Sequence, residues 1–185
     1  MLRGLSAGMR AGWLAAALAA CACAARADGS LETAIKASYL YKLPPFVTWP
    51  AAVAGAPSDP FVICVVGEDP FGSVLDRAIA GQRVGPRPII ARRLPRASRS
   101  TGCQIMFIGG SAQQSVGDAL SAMRGAPVLT VTDGPGPAGV INFVVDGGRV
   151  RFRIDDALAA TDGLTISSKL LSLAVSVKPR AKVAP

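Results

Sequence analysis

The chain has 185 residues, half of them hydrophobic and only 17% charged, which suits one ordinary domain and excludes wholesale disorder. Lysine and arginine outnumber the acids 20 to 12, giving a formal charge of +8, and there is no histidine. Its absence removes the commonest general base, the Ser-His and Cys-His dyads, and the usual zinc ligands.

Residues 1–27 read as a secretory signal peptide. Arg3 and Arg10 precede an apolar run from Ala11 to about Ala25, and no acid occurs before Asp28. The run is shorter than the roughly 18 apolar residues of a membrane span. Ala25-Arg26-Ala27 fits a small-x-small cleavage site and would release a soluble protein starting at Asp28. Leu18-Ala19-Ala20-Cys21 also fits a lipobox and would leave a lipid-anchored Cys21, although Cys23 would then be an odd thiol on a short tether. Cleavage after Ala27 leaves Cys64 and Cys103 as the remaining cysteines, an even number in an exported chain.

The domain proper is predicted over 28–178. Leu31, Ala34, Ile35, Ser38-Tyr39 and Lys42-Leu43 recur at helical spacing until Pro44-Pro45 break the pattern. After a loop over 53–60, Phe61 to Val66 is a short apolar run that suits a strand buried on both faces. Pro70 to Ala80 reads as a helix with Asp69 as N-cap and Pro70 at its first position. Glu68 and Asp69 sit where a phosphate loop would need free amides and a basic side chain, so this turn is read as a helix start and not an anion site. Strands follow at Pro88–Leu94 and Gln104–Ile108. Ser111 is taken to cap a helix through Met123, and Val128–Thr132 is another strand. Asp133 to Gly139, DGPGPAG, can only be a loop.

Val140–Val145 and Arg149–Ile154 flank Asp146-Gly147-Gly148, a hairpin signal. In the second arm Val150, Phe152 and Ile154 alternate with Arg149, Arg151 and Arg153, so one face is packed and the other wet. A short helix is expected from Asp155 or Asp156 to Ala160, and a last one from Ser167 or Ser168 through Ala174. The end, from Val177, is basic and proline-bearing, and residues 179–185 are expected to be a flexible tail. Strands alternating with helices make a three-layer α/β sandwich, with a mostly parallel sheet and a β-hairpin at one edge.

Chemistry is hard to assemble from these residues. Asp155 and Asp156 are adjacent and would point to opposite faces of a strand. Ser111, Ser167 and Ser168 lack an activating base and stand at helix starts. The chain therefore reads as a non-enzyme with no metal and no cofactor. Arg83, Arg87, Arg92, Arg93, Arg96 and Arg99 occur with no intervening acid. Lacking interleaved aromatics in an exported protein, they suit a solvated edge facing an acidic partner or membrane head groups, not nucleic acid. Cys64 and Cys103 lie in the first and third strands, which are commonly neighbours in doubly wound sheets. They are either a pair of buried thiols or a disulfide. Export favours the bond, which would stabilise the fold by roughly 4 kcal/mol through chain entropy.

Six segments in order resemble the YfiR family of periplasmic regulatory proteins: AIKASYLY with FVTWP, ICVVGEDPFG, CQIMFIG, PVLTVTD, GVINFVVDGGRVRFRID and GLTISSKLLSLA. The resemblance implies a flavodoxin-like fold and a repressor that binds the periplasmic portion of an inner-membrane diguanylate cyclase. It also implies release by an outer-membrane lipoprotein, self-association into a homo-oligomer, and a disulfide between Cys64 and Cys103. Pro44-Pro45 and Gln104 depart from the family pattern, and the second cysteine pair of some relatives is absent. Arg151, Arg153, Ser167 and Ser168 are the expected partner-binding residues, near the hairpin and the last helix. The alternative is a small-ligand-binding module that modulates a sensor kinase or an outer-membrane transporter, its pocket at the carboxyl ends of the strands.

Overall fold

The computed structural model describes residues 29–181. The signal segment with Cys21, and residues 182–185 of the tail, lie outside the described residues. A helix over 29–42 (α1) leads through a 3-10 turn, Pro44–Phe46, into β1 (Val47–Thr48) and a short α2 (Ala51–Ala54). Then come β2 (Phe61–Gly67), α3 (Ser73–Ile79), β3 (Arg83–Val84), β4 (Arg87–Leu94), β5 (Ile105–Gly110) and α4 (Val116–Met123). The chain continues through β6 (Leu129–Asp133), β7 (Ile141–Asp146), β8 (Arg149–Asp155), α5 (Asp156–Thr161), β9 (Thr165–Ile166), α6 (Ser168–Leu171) and β10 (Ser176–Lys178).

Eight strands form one sheet in the order β10-β8-β7-β6-β5-β2-β4-β3, and β1 pairs with β9 in a separate ribbon. All pairings in the large sheet are parallel except β7–β8 and β3–β4. The run β4-β2-β5-β6-β7 has the flavodoxin-like order, so the expected sandwich is the observed one. The hairpin β7–β8 lies next to the rim, with β10 added alongside β8.

Alternation along the strands assigns each side chain to a layer. Phe61, Ile63 and Val65 of β2 and Ile105 and Phe107 of β5 join one core with Ala37 and Leu40 of α1, Leu75 and Ile79 of α3, and Leu170 of α6. Val62, Cys64, Val66, Met106 and Ile108 face the other way, against Ala119 and Met123 of α4. In that second layer Cys64 is joined to Cys103, two residues before β5, with 5.9 Å between their Cα atoms. The pair staples the two central strands, as expected from compartment and resemblance.

On the α4 side, beyond β5, the described residues of β6 and β7 facing this way include Thr130, Thr132 and Asn142, none of which belongs to the apolar cluster under α4. The connection from β6 to β7 crosses there as the short DGPGPAG loop, where parallel strands usually need a dozen or more residues. Its backbone is satisfied by side chains. Thr132 Oγ1 accepts from Gly139 N–H (3.0 Å) and donates to Asn142 Oδ1 (2.9 Å), while Thr130 Oγ1 accepts from Val140 N–H (3.0 Å). Asn142 Nδ2 donates to Gly134 O (3.1 Å). These polar residues are buried because they replace a helix. Gly139 is required by contact, since a Cβ there would stand 2.7 Å from Thr130 O.

Three local expectations are corrected. Helix α3 starts at Ser73, and Asp69 Oδ1 instead accepts from Phe71 and Gly72 N–H, closing the turn before it. Ser111 likewise holds a turn at Gln113 and Gln114, and Ser115 is the cap of α4. The described part of the basic end, residues 177–181, is less loose than its composition suggests. Val177 lies within β10, and Arg180 makes two hydrogen bonds to Asp156, each 2.7 Å.

Replacing both Cys64 and Cys103 by alanine is expected to lower the unfolding free energy by about 4 kcal/mol in urea titration. Denatured, unreduced protein is expected to show no free sulfhydryl at these positions. Thr132→Val is expected to cost about 1–3 kcal/mol by stranding the Gly139 amide. A change under about 0.5 kcal/mol would contradict this role.

Candidate functional site

Two regions carry concentrated polar chemistry. The first is a crevice of about 290 Å³ at the carboxyl ends of β2, β5 and β6, lined by Glu68, Asp69, Phe107, Val116, Thr132 and Asp133 among others. Two loop backbones meet at its base: Glu68 N–H donates to Gly110 O (2.8 Å), and Gly67 and Gly110 both have positive φ. A Cβ at Gly67 would fall 2.3 Å from Gly110 O, so only glycine permits this approach.

Two of the crevice carboxylates, Asp69 and Asp133, are held by cations. Arg93 donates Nε to Asp69 Oδ2 (3.0 Å) and both terminal nitrogens to Asp76 (2.6 and 2.9 Å). Burial raises the Asp69 carboxyl, but two backbone amides and Arg93 outweigh it and hold the group below the ordinary carboxylate range. Lys36 of α1 is buried and pairs with both Asp133 and Glu32. Burial would lower its ammonium, yet those two carboxylates raise it above the usual lysine value. The amides of Glu68, Phe71 and Gly72 are all engaged, so three of this turn's donors are already committed within the fold. Among the described residues no group of three or more Cys, Asp or Glu side chains could hold a metal ion.

The second region is the wet face of the hairpin. Arg149, Arg151 and Arg153 are exposed and alternate with buried Val150, Phe152 and Ile154. They point to the α4 side of the sheet. Ser167, by contrast, caps α6 by accepting from Leu170 N–H (3.3 Å), and Leu170 packs in the core on the α1 side with Phe152 and Ile154. Ser168 is the exposed first residue of α6. The four expected binding residues therefore lie on opposite sides of the sheet: the arginines share one face, and the serines belong to a helix on the other.

Sequence reading missed an exposed apolar margin on the serine side. Val145 is 57% exposed and Leu173 53%, with Leu31, Ile35 and Val175 also open. Val145 pairs with Val150, and Val175 N–H donates to Phe152 O (2.9 Å), which places both at the hairpin. Tyr39, one turn beyond Ile35 on α1, stacks on Phe143 and Phe152 at centroid distances of 5.9 and 5.6 Å. The sequence shows Leu31 and Ile35 at helical spacing, which by itself does not say that they are left open.

Two buried acids near the opposite end act on stability in opposite senses. Arg180 holds the Asp156 carboxyl below its ordinary range, so that contribution is present at neutral pH and lost as pH falls through the depressed value. Burial raises the Asp162 carboxyl, which accepts from Gly125 N–H (2.6 Å). Its contribution is complete below the ordinary carboxylate value and is lost as pH rises through the raised one. Asp162→Asn keeps the acceptor and removes the charge. This variant is expected to be more stable than the parent at pH 7 by urea titration, with the difference closing near pH 4. An equal gap at both values would contradict the assignment.

Among the described residues no helix is long and apolar enough to cross a membrane. A comparison with curated proteins finds no match. The model of the YfiR/HmsC-like family matches residues 33–175, from the second turn of α1 to the residue before β10. The match spans the crevice, the disulfide, the hairpin and α6, and covers well over half of the chain. With every strand of the large sheet but β10 inside that match, the chain belongs to the YfiR/HmsC-like family of periplasmic regulators.

Proposed function

We propose that this chain is a periplasmic repressor that binds the periplasmic region of an inner-membrane diguanylate cyclase and so limits cyclic-di-GMP signalling. Family membership supports a regulatory role, and the observation that carries the mode of action is the apolar margin around Val145, Leu173 and Val175. Large apolar side chains left open beside a well-packed core suit a protein partner, because covering them removes apolar surface from water at about 25 cal/mol per Å². Ser168, on the helix leading into Leu173, borders that margin, whereas the Ser167 hydroxyl is engaged as a cap. Arg151 and Arg153 lie round the sheet edge and would meet whatever surrounds the partner. Release by an outer-membrane lipoprotein and homo-oligomerisation are parts of the same proposal, and either could use this margin.

Deleting the gene while the cyclase is expressed is expected to raise cellular cyclic-di-GMP and biofilm. Val145→Asp combined with Leu173→Glu is expected to reproduce the deletion. Because both sites are exposed, thermal stability should change little, by about 0.5 kcal/mol or less each. Unchanged cyclic-di-GMP on deletion would remove the repressor reading. Full repression by the double variant would remove this margin from it.

A further inference from the structure

The arginine row of β8 has no structural employment. Arg149, Arg151 and Arg153 are exposed on one face, at a spacing of about 6.8 Å along an extended strand. Their cross-strand neighbours on β7 are Asp146, Val144 and Asn142 in turn, and no ion pair among the described residues joins any of the three arginines to an acid. Three guanidinium groups so close repel one another, which is a cost without return inside the fold.

The row ends in a hollow of about 240 Å³, bounded by the glycine-rich loop at Gly136, by Asn142 and Arg153, and by Asp155, Ser176 and Lys178. Ser176 is the register partner of Arg153 on β10, so the two side chains leave the sheet on the same face, and both line the hollow. Asp155 is the acid in the hollow and is already neutralised. It caps α5 through Leu158 N–H (2.8 Å) and accepts from Lys178 Nζ (2.9 Å). The hollow therefore offers Arg153 and Ser176 as donors next to a flat cationic strip, without an opposing free carboxylate.

We propose that this face docks on anionic phospholipid, with a lipid phosphate taken between Arg153 and Ser176 and neighbouring headgroups against Arg151 and Arg149. Charge complementarity selects the occupant. A planar guanidinium fork matches phosphate oxygens, and a repeated row of forks on one strand face suits a layer that repeats the same phosphate group. Asn142 cannot contribute much, since its amide is committed to Gly134 and Thr132. Docking of this kind does not depend on which protein the apolar margin binds. It would confine the regulator to the membrane surface, raising its local concentration beside a membrane-embedded partner.

The test is co-sedimentation of the purified, processed, disulfide-bonded protein with vesicles of phosphatidylglycerol and phosphatidylcholine, against vesicles of phosphatidylcholine alone. Binding is expected only to the anionic vesicles and is expected to fall steeply with salt. Each of Arg149→Gln, Arg151→Gln and Arg153→Gln should weaken it about five-fold, and the triple variant about a hundred-fold. The control triple Arg83→Gln, Arg92→Gln and Arg96→Gln removes the same charge elsewhere and should retain most of the binding. Circular dichroism verifies that each variant is folded. Equal binding to neutral vesicles, no binding to anionic ones, or equal losses in the two triples would each overturn the proposal. None of these outcomes bears on repression, which is read from cyclic-di-GMP without vesicles.

Discussion

A parallel sheet buries both of its faces, and this chain has helices enough to cover one face broadly but only the centre of the other. The first layer receives α1, α3 and α6, with Ala159 of α5. The second receives α4, whose Ala119 and Met123 pack on β2 and β5. That imbalance shapes the rest. Where α4 covers the sheet, the strands are apolar on both sides and a disulfide fits between them. Beyond it the buried positions become Thr130, Thr132 and Asn142, serving the backbone of a short crossover loop. Farther out the same face carries arginines and meets water.

The electrostatic arrangement follows the same division. Acids gather at the carboxyl ends of the central strands, and two of them are tied to a cation, Asp133 to Lys36 and Asp69 to Arg93. A lysine is buried at a desolvation cost that only its two carboxylates offset. Such pairs clamp α1 and the strand-end loops to one another. The arginines of β8 are not tied in this way, and for that reason they are read as interaction chemistry and the clamp as structure.

Much of the fold was legible because its signals are short-range. Six consecutive buried residues in β2, strict alternation in β8 and the Gly147-Gly148 turn each name an element without help from elsewhere. The misreadings came from positions where a tertiary neighbour decides. Leu31 and Ile35 have helical spacing, yet α1 turns Lys36, Ala37 and Leu40 inward, and Asp133 across the molecule offers Lys36 a partner. Asp69 and Ser111 are good capping residues, but both hold turns just ahead of their helices. Val177 has the composition of a loose end and is a strand because β8 presents an open edge. The expected binding set divided for a related reason: residues close in sequence at a sheet rim can face opposite sides of it. The cysteine pair was legible from compartment and family, and the free apolar margin was visible only once burial was known.

Under the proposed function the molecule is a regulator that works by covering part of a membrane enzyme. The most direct measurement is the rate at which the purified diguanylate cyclase, reconstituted in nanodiscs with its periplasmic region accessible, converts GTP to cyclic-di-GMP as this protein is added. The rate should fall saturably to a low plateau near equimolar protein. A rate that stays constant at a large excess of folded, disulfide-bonded protein would contradict the account.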